Sequence, residues 1–409
     1  MPAKLDPSPS GECNPANSIA IDIMATGSND IMYLGNWRAP PFNRLSFLRV
    51  RELIPTANIA CDPRQASPLP RRYRDLGSLE FRTPDGEPTT VARYLDASSS
   101  NSLIVMRQGK VVYEWYRTAG AEALPHVVFS VSKSLTALLA GVLVADGVLD
   151  ADAAVTTYIP EAKGSAYADA SVRHVLDMAV SLRFTEDYLN PDATFLRYRA
   201  ASGWNPSRSN TGETLHGFLL SLEKADHPHG DRFRYQSPNS DLLGWILERA
   251  GGASFAQMFS ERIWKPMGAA SDAYVTLDAA GAPRTAGGIC VTIEDLARVG
   301  ELMRCRGVAG GRQVVPGGWI DDILTSGSEA LWAQGDLLSF LPRCRYRSKW
   351  YNRIDNGTLL AAGIHGQWLV IDPMADLVIA KQSSQPQPSG DAMDYLNLAA
   401  FDALSAALR

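Results

Sequence analysis

Apolar residues recur at helical spacing most clearly over residues 130–146, which read SVSKSLTALLAGVLVAD. Leu135, Leu139 and Val142 share one face, and nearly all the other positions are also apolar or small. A helix that is apolar all round is buried. The pattern therefore predicts a helix at the centre of the protein, ending at Gly147.

Two runs rich in β-branched and aromatic residues predict hairpins. Residues 102–114, SLIVMRQGKVVYE, turn at RQGK, and residues 363–382 turn at Asp372-Pro373. A final helix is predicted over 394–408. Hairpins near both ends with helices between them indicate an α+β fold, with one antiparallel sheet built from both parts of the chain and flanked by helices.

These patterns divide the chain into three parts. Residues 1–35 are rich in Pro, Ser, Asn and Gly, which predicts an extended or partly disordered arm. Residues 36–150 and 270–409 are expected to form an α/β region that holds the antiparallel sheet. Residues 151–269 are expected to be mostly helical and inserted into it, with the polar, aromatic loops of 185–215 lining a cleft.

The charge balance argues against several classes of function. The net charge is −5, so no basic excess is present to bind nucleic acid or an anionic membrane surface. No stretch of about 20 apolar residues predicts a membrane span, and the N-terminus lacks the apolar core of a secretory signal. We therefore expect a cytoplasmic protein without nucleic-acid or membrane partners.

Neither a metal nor a cofactor is indicated by the known motifs. The 5 cysteines form no C-x-x-C pair, which is typical of free thiols in a reducing compartment. His227 and His229 form a close pair, which a solvated turn explains better than a metal site. The G-x-S-x-G, H-E-x-x-H, G-x-G-x-x-G and Walker A motifs are absent from the sequence.

The motif S-x-x-K occurs twice, and its surroundings distinguish the copies. Ser221 to Lys224 lies in a charged stretch, SLEKADHPHG, and is interpreted as a solvated face. Ser130 to Lys133 opens the most apolar helix. A helix N-terminus favours an oxyanion on a serine, and a buried lysine one turn on has a lowered pKa and can take a proton. An N-capping serine and a lysine that extends to solvent explain the motif equally well.

Two further segments fit a serine nucleophile. Tyr235 precedes a predicted helix, and a tyrosine beside a lysine can have a depressed pKa and act as a base, although a core tyrosine explains it better in isolation. Residues 363–367, GIHGQ, permit close approach to the backbone, so the N–H groups of Ile364 and Ser130 can form an oxyanion hole. In isolation, a strand bend explains this segment better.

The order of S-x-x-K, tyrosine and Gly-flanked strand resembles the serine β-lactamase-like superfamily. The likeness is greatest to its class C and esterase branch and, within it, to the nylon-oligomer hydrolases. It extends from about Trp37 to the C-terminus. The segments that carry it are WRAPPFNR, SVSKS, LDMAVSLRFTEDYLNP, RYQSPNSDLLGWILER, EDLARVG and GIHGQW.

The resemblance implies a role for each matching residue. Ser130 is then the acylated nucleophile, and Lys133 and Tyr235 form the proton-transfer pair. The N–H groups of Ser130 and Ile364 form the oxyanion hole. Tyr188 approaches the leaving nitrogen of an amide. The substrate-binding residues that it implies are Tyr188, Trp350 and His365.

Departures from the family pattern bear on the substrate. Ser237 takes the place of asparagine in Y-x-N, and residues 361–363, AAG, lack the lysine of K-T-G that holds a β-lactam carboxylate. Arg199 and Ala286 differ from the nylon-oligomer enzymes at pocket positions. Efficient β-lactam hydrolysis is therefore not expected.

The sequence thus predicts a serine hydrolase of carboxylic esters and linear amides of the 6-aminohexanoate-oligomer type. It would work through a Ser130 acyl-enzyme without metal or organic cofactor. The expected partner is a small ester or amide substrate, and a homodimer is compatible with the sequence. Two alternatives remain, namely a β-lactamase or D-amino-acid peptidase of the same fold and a catalytically silent ligand-binding module.

Overall fold

The computed structural model describes residues 31–207 and 212–409. Most of the predicted N-terminal arm, residues 1–30, and residues 208–211 of the aromatic loop lie outside the described residues. Within the described ranges, no helix is long and apolar enough to cross a membrane.

The largest sheet of the protein is antiparallel and has seven strands. The strands are β1 Thr56–Ile59, β2 Glu80–Arg82, β3 Pro88–Thr90, β4 Ser100–Arg107, β5 Lys110–Tyr116, β6 His126–Val127, β7 Ala273–Thr276, β8 Ile289–Val291, β9 Val308–Ala309, β10 Arg312–Gln313, β11 Cys344–Arg347, β12 Trp350–Arg353, β13 Leu359–Gly363, β14 Gln367–Asp372 and β15 Leu377–Ser383. Seven strands are ordered β11-β12-β13-β14-β15-β4-β5. Ile379 of β15 lies opposite Val105 of β4. This pairing joins the two predicted hairpins and confirms the sheet built from both parts of the chain.

Helices cover the sheet and fill the middle of the chain. They are α1 Asn43–Ser46, α2 Val91–Ala97, α3 Val131–Ala145, α4 Val155–Tyr158, α5 Val172–Leu176, α6 Ala193–Ala201, α7 Leu215–Leu220, α8 Pro238–Gly251, α9 Phe255–Phe259, α10 Lys265–Met267, α11 Ile293–Arg304, α12 Gly317–Thr325, α13 Glu329–Ala333 and α14 Asp391–Leu408. The predicted central helix is confirmed as α3, whose side chains are buried from Val131 to Leu143. The predicted C-terminal helix is confirmed as α14.

Both faces of the large sheet are buried, which explains its nearly continuous apolar strands. Alternate residues of one strand point to opposite faces. Ile104 belongs to the core on the side of α3 and α11, whereas Val105 belongs to the core on the side of α14. The sheet is therefore the middle layer between two groups of helices.

A second, four-stranded sheet of order β1-β7-β8-β6 fixes the segment that leads into α3. His126 of β6 pairs with Val291 of β8, and the N–H of Val128 donates to the Ile289 carbonyl at 3.0 Å. Only two residues separate Val128 from α3. The pairing of β6 with β8 and the hydrogen bond of Val128 therefore fix the position of the N-terminus of α3.

Candidate active site

Ser130 stands at the N-terminus of α3 and is nearly buried, at 8% exposure. Phe129 before it has a φ of 43°, a conformation that is strained for a bulky residue and occurs where structure dictates it. The Ser130 side chain makes no capping hydrogen bond to the helix. Instead, its Oγ accepts a hydrogen bond from Lys133 Nζ at 2.7 Å. Ser130 therefore occupies the N-cap position, but its side chain does not cap the helix.

Lys133 is buried together with its amine. Its Nζ donates to Ser130 Oγ and, also at 2.7 Å, to the carbonyl of Ala286. Burial lowers the pKa of Lys133 to about 8, because the charged form loses hydration. About a tenth of such an amine is neutral at pH 7, and this neutral form can accept the serine proton. The alternative of a lysine that extends to solvent is wrong.

Tyr235 comes shortly before α8 and completes a three-residue cluster. Its side chain lines the large cavity together with Ser130, and Lys133 Nζ lies 5.0 Å from the centre of its ring. The depressed phenol pKa expected from the sequence is not found. Burial and then the negative charge of Glu186 raise the pKa of Tyr235 above its ordinary value. The phenol therefore keeps its proton, and Lys133 is the better base.

The end of β13 lies against the backbone of the nucleophile. A Cβ on Gly363 would come within 2.6 Å of the Val128 carbonyl oxygen and 3.0 Å of the Ser130 nitrogen. Only glycine permits this approach without displacing the Ser130 N–H. Ile364 follows directly and, like Ser130, faces both cavities of the site.

Two cavities meet at Ser130. The large one has a volume of about 600 Å³, and the small one about 20 Å³. They share the residues Ser130, Glu186, Tyr188 and Ile364. The predicted contact of Tyr188 with the cleft is therefore present, and a substrate whose carbonyl lies at Ser130 can extend in two directions.

Glu186 is a residue of the site that the sequence reasoning missed. Its carboxylate accepts the Ser237 N–H at 2.5 Å, the Ser237 hydroxyl at 2.6 Å and the Tyr188 hydroxyl. Ser237 therefore uses the position of the family's asparagine to hold a carboxylate. The adjacency of Glu186 and Tyr188 in TEDY was the only available signal, since the contact to Ser237 spans 51 residues.

A buried ion pair fixes the backbone of Ala286, whose carbonyl accepts a hydrogen bond from Lys133. The sequence reasoning missed this ion pair as well. Asp241 pairs with Arg284, and its other oxygen accepts the Ala286 N–H at 2.7 Å. The carbonyl of the same Ala286 accepts the hydrogen bond of Lys133. The ion pair thus positions the segment that holds the base.

Trp350 and His365 do not line either cavity. Trp350 is fully buried in the core on the α3 side, whereas the next residue, Tyr351, points to the opposite face and lines the large cavity. His365 packs on Phe47 and Phe129, and its Nδ1 is 2.7 Å from the Gln385 carbonyl. Burial lowers the pKa of His365 to about 4, so it is a neutral structural residue.

Within residues 31–207 and 212–409, no group of three or more His, Cys, Asp or Glu side chains could hold a metal ion. His227 lines the large cavity, whereas His229 contacts Asp169 at 3.0 Å.

A serine in contact with a buried, neutralisable amine at the start of a core helix makes this protein a serine hydrolase. A model of the β-lactamase family matches residues 89–402, and the chain belongs to that family. It is 36% identical over 357 residues to the 6-aminohexanoate-dimer hydrolase of Paenarthrobacter ureafaciens, which covers 87% of this chain and 88% of that protein. The family resemblance inferred from the motifs is therefore confirmed.

Solved structures agree with the predicted serine β-lactamase-like fold. A Bacillus anthracis protein that provisionally carries the name 6-aminohexanoate-dimer hydrolase superimposes with a TM-score of 0.85, at 24% identity, over 94% of this chain and 98% of that chain. A family VIII carboxylesterase superimposes with a TM-score of 0.56, at 17% identity, over 76% and 95%. At these identities the likeness concerns the fold alone, and the predicted fold class is confirmed.

Proposed function

We propose that the protein hydrolyses carboxylic esters and linear amides through an acyl-enzyme on Ser130. The observation that carries this proposal is the 2.7 Å contact between Lys133 Nζ and Ser130 Oγ, together with the lowered pKa of that amine. A nucleophilic serine needs an adjacent base, and here burial, rather than a second residue, lowers the pKa of the base so that its neutral form is available.

Acylation follows from this geometry. Neutral Lys133 takes the proton of Ser130 as Oγ attacks the substrate carbonyl. The N–H groups of Ser130 and Ile364 are assigned to the developing oxyanion. Collapse of the tetrahedral intermediate breaks the bond to the leaving group, which receives the proton of the Lys133 ammonium through the protonated phenol of Tyr235.

Deacylation uses the same groups in reverse. Water enters the large cavity after the leaving group departs and loses a proton to Lys133 as it attacks the acyl carbonyl. The Ser130 oxygen then leaves and recovers a proton.

Tyr188 lines the cavity beside the nucleophile, and its hydroxyl is assigned to the leaving nitrogen of amides.

The proposed substrate class rests on the residues of β13 that line the large cavity. Residues 361–363 supply Ala362 and Gly363 to the large cavity, so strand β13 offers no cation for a β-lactam carboxylate. The curated relative is named for a linear-amide substrate, 6-aminohexanoate dimer, which supports linear amides beside esters.

A panel of three substrates tests the proposal. p-Nitrophenyl butyrate, 6-aminohexanoate dimer and nitrocefin should be assayed with wild type and Ser130→Ala. We expect Ser130-dependent turnover of the ester and the amide, with nitrocefin slower than the ester by about 100-fold or more because a charge-assisted contact is missing. Nitrocefin turnover equal to that of the ester would favour a β-lactamase, and no Ser130-dependent turnover at all would favour a silent binding module.

A further inference from the structure

We propose that the small cavity beside Ser130 binds a carboxylate at the end of a short acyl chain. The preferred substrates would then be half-esters and half-amides of short dicarboxylic acids. This inference rests on the proposed function, because it assigns the acyl portion of the same reaction.

The first argument is the set of charged side chains that face the small cavity. They are Arg38, Arg199, Arg284 and Glu186. Arg284 is neutralised by Asp241 in a buried ion pair. Three guanidinium groups and one carboxylate therefore line a cavity that adjoins the nucleophile.

Two of these guanidinium groups have no anionic partner in the part of the chain that the structure describes. Within residues 31–207 and 212–409, Arg38 donates to neutral oxygens, the Trp204 carbonyl at 3.2 Å and the Asn205 side chain. The guanidinium of Arg199 lies over the rings of Phe195 and Tyr188, at 4.3 and 5.7 Å. Among the described residues, no carboxylate lies within ion-pair distance of Arg199.

The one carboxylate of the cavity is already engaged. Glu186 accepts hydrogen bonds from the Ser237 N–H, the Ser237 hydroxyl and the Tyr188 hydroxyl. Burial, then Arg199, then Arg284 lower the pKa of Arg38, which shows that positive charge is crowded here. An incoming carboxylate would relieve this repulsion and could accept two parallel hydrogen bonds from a guanidinium group.

Size and position assign the carboxylate to the acyl portion. The small cavity, of about 20 Å³, is too small for a ring, so only the end group of a short chain could lie in it while the methylene groups stay beside Ser130, where the two cavities meet. The leaving group must depart while the acyl group stays on Ser130. The large cavity, with about 600 Å³, suits the leaving group and the entering water.

Matched ethyl esters test the inference on the full chain. Monoethyl glutarate and monoethyl adipate carry the carboxylate, ethyl pentanoate and ethyl hexanoate replace it by a methyl group, and ethyl 6-aminohexanoate replaces it by a cation. We expect kcat/KM of the half-esters to exceed that of the neutral esters by about 10- to 100-fold, the effect of a charged hydrogen bond. The cationic ester, which carries the same acyl group as 6-aminohexanoate dimer, should be hydrolysed more slowly than the half-esters.

Two variants on one helix separate the cavity from its surroundings. Arg199→Gln should remove at least about tenfold of the half-ester preference while ethyl hexanoate is still hydrolysed. Arg197→Gln is the matched control, because Arg197 lies on the same helix but pairs with Glu213 at the surface. The control should keep the preference of the wild type.

Free glutarate gives a readout that needs no variant. Glutarate should inhibit the hydrolysis of ethyl hexanoate by wild type, and the concentration that gives half inhibition should be about tenfold or more lower than for pentanoate. Ser130-dependent hydrolysis with no preference for the half-esters, or with a preference for the cationic ester, would overturn this inference and leave the proposed function standing. If no ester is hydrolysed in a Ser130-dependent way, both are overturned.

Discussion

The two S-x-x-K segments have the same four-residue pattern and opposite surroundings. Ser130 stands at the N-terminus of α3, whereas Ser221 stands at the C-terminal end of α7. Lys133 is buried against Ser130 Oγ, whereas Lys224 lies at the surface and pairs with Asp169 at 2.5 Å. The helix end near Ser130 favours negative charge and the one near Ser221 disfavours it.

The hydrogen bonds of the two serines differ in the same way. Ser221 Oγ donates to the Phe218 carbonyl and accepts from Arg197, both at 2.7 Å. Its lysine does not contact it. Ser130 Oγ instead accepts a hydrogen bond from its own lysine, and it lines the large cavity together with Tyr235. The pair of residues becomes a nucleophile and base only where the helix start, burial and a second proton carrier coincide.

The largest expected effect comes from replacing each serine in turn by alanine. Ser130→Ala should lower kcat for p-nitrophenyl butyrate by about 1,000-fold or more, as for other covalent nucleophiles. Ser221→Ala should stay within about twofold of wild type, because an exposed serine at a helix end contributes little. Full activity of purified, folded Ser130→Ala would contradict the assignment.

The pH dependence of kcat/KM separates the two lysines. Lys133 must be neutral to accept the proton of Ser130, and burial sets its pKa to about 8. The value of kcat/KM for an ester should therefore rise about tenfold per pH unit below about 8 and level off above it. Lys224→Ala should leave this profile unchanged. A flat profile between about pH 6 and 9 would show that the amine is not the base.

The smallest expected effect concerns two tyrosine–glutamate pairs. Tyr188 donates to Glu186 in the site, and Tyr73 donates to Glu114 on the surface. Tyr188→Phe should lower amide hydrolysis about tenfold more than ester hydrolysis, because an amine leaves only when it is hydrogen-bonded or protonated. Tyr73→Phe is the matched control. An amide-to-ester ratio that Tyr188→Phe leaves unchanged would remove Tyr188 from the reaction.

Patterns among residues that are close in the sequence predicted much of the fold and the centre of the site. The apolar run that became α3 and the alternating hairpins depend on neighbouring residues, and Ser130 and Lys133 lie one helical turn apart. The order of motifs along the chain added Tyr235. Each of these signals is visible within a few residues or in the sequence of segments.

The rest depends on contacts that the sequence does not encode locally. Trp350 and Tyr351 point to opposite faces of β12, and only Tyr351 lines the large cavity. A shift of one residue in the predicted alternation of the strand therefore assigns a core residue to the cavity. The family resemblance implied that His365 binds substrate, but its φ of 60° belongs to a turn in which its ring is packed among aromatic residues. The raised pKa of Tyr235 reflects burial, which no motif reports.

Fluorophosphonate labelling of the native protein, followed by peptide mass spectrometry, tests the central claim most directly. The reagent reacts only with a serine that is activated as a nucleophile. We predict one adduct, on the peptide that contains Ser130, and its loss in Lys133→Ala while Lys224→Ala is labelled like wild type. An adduct on Ser221, or the absence of any adduct on the folded wild-type protein, would contradict the account.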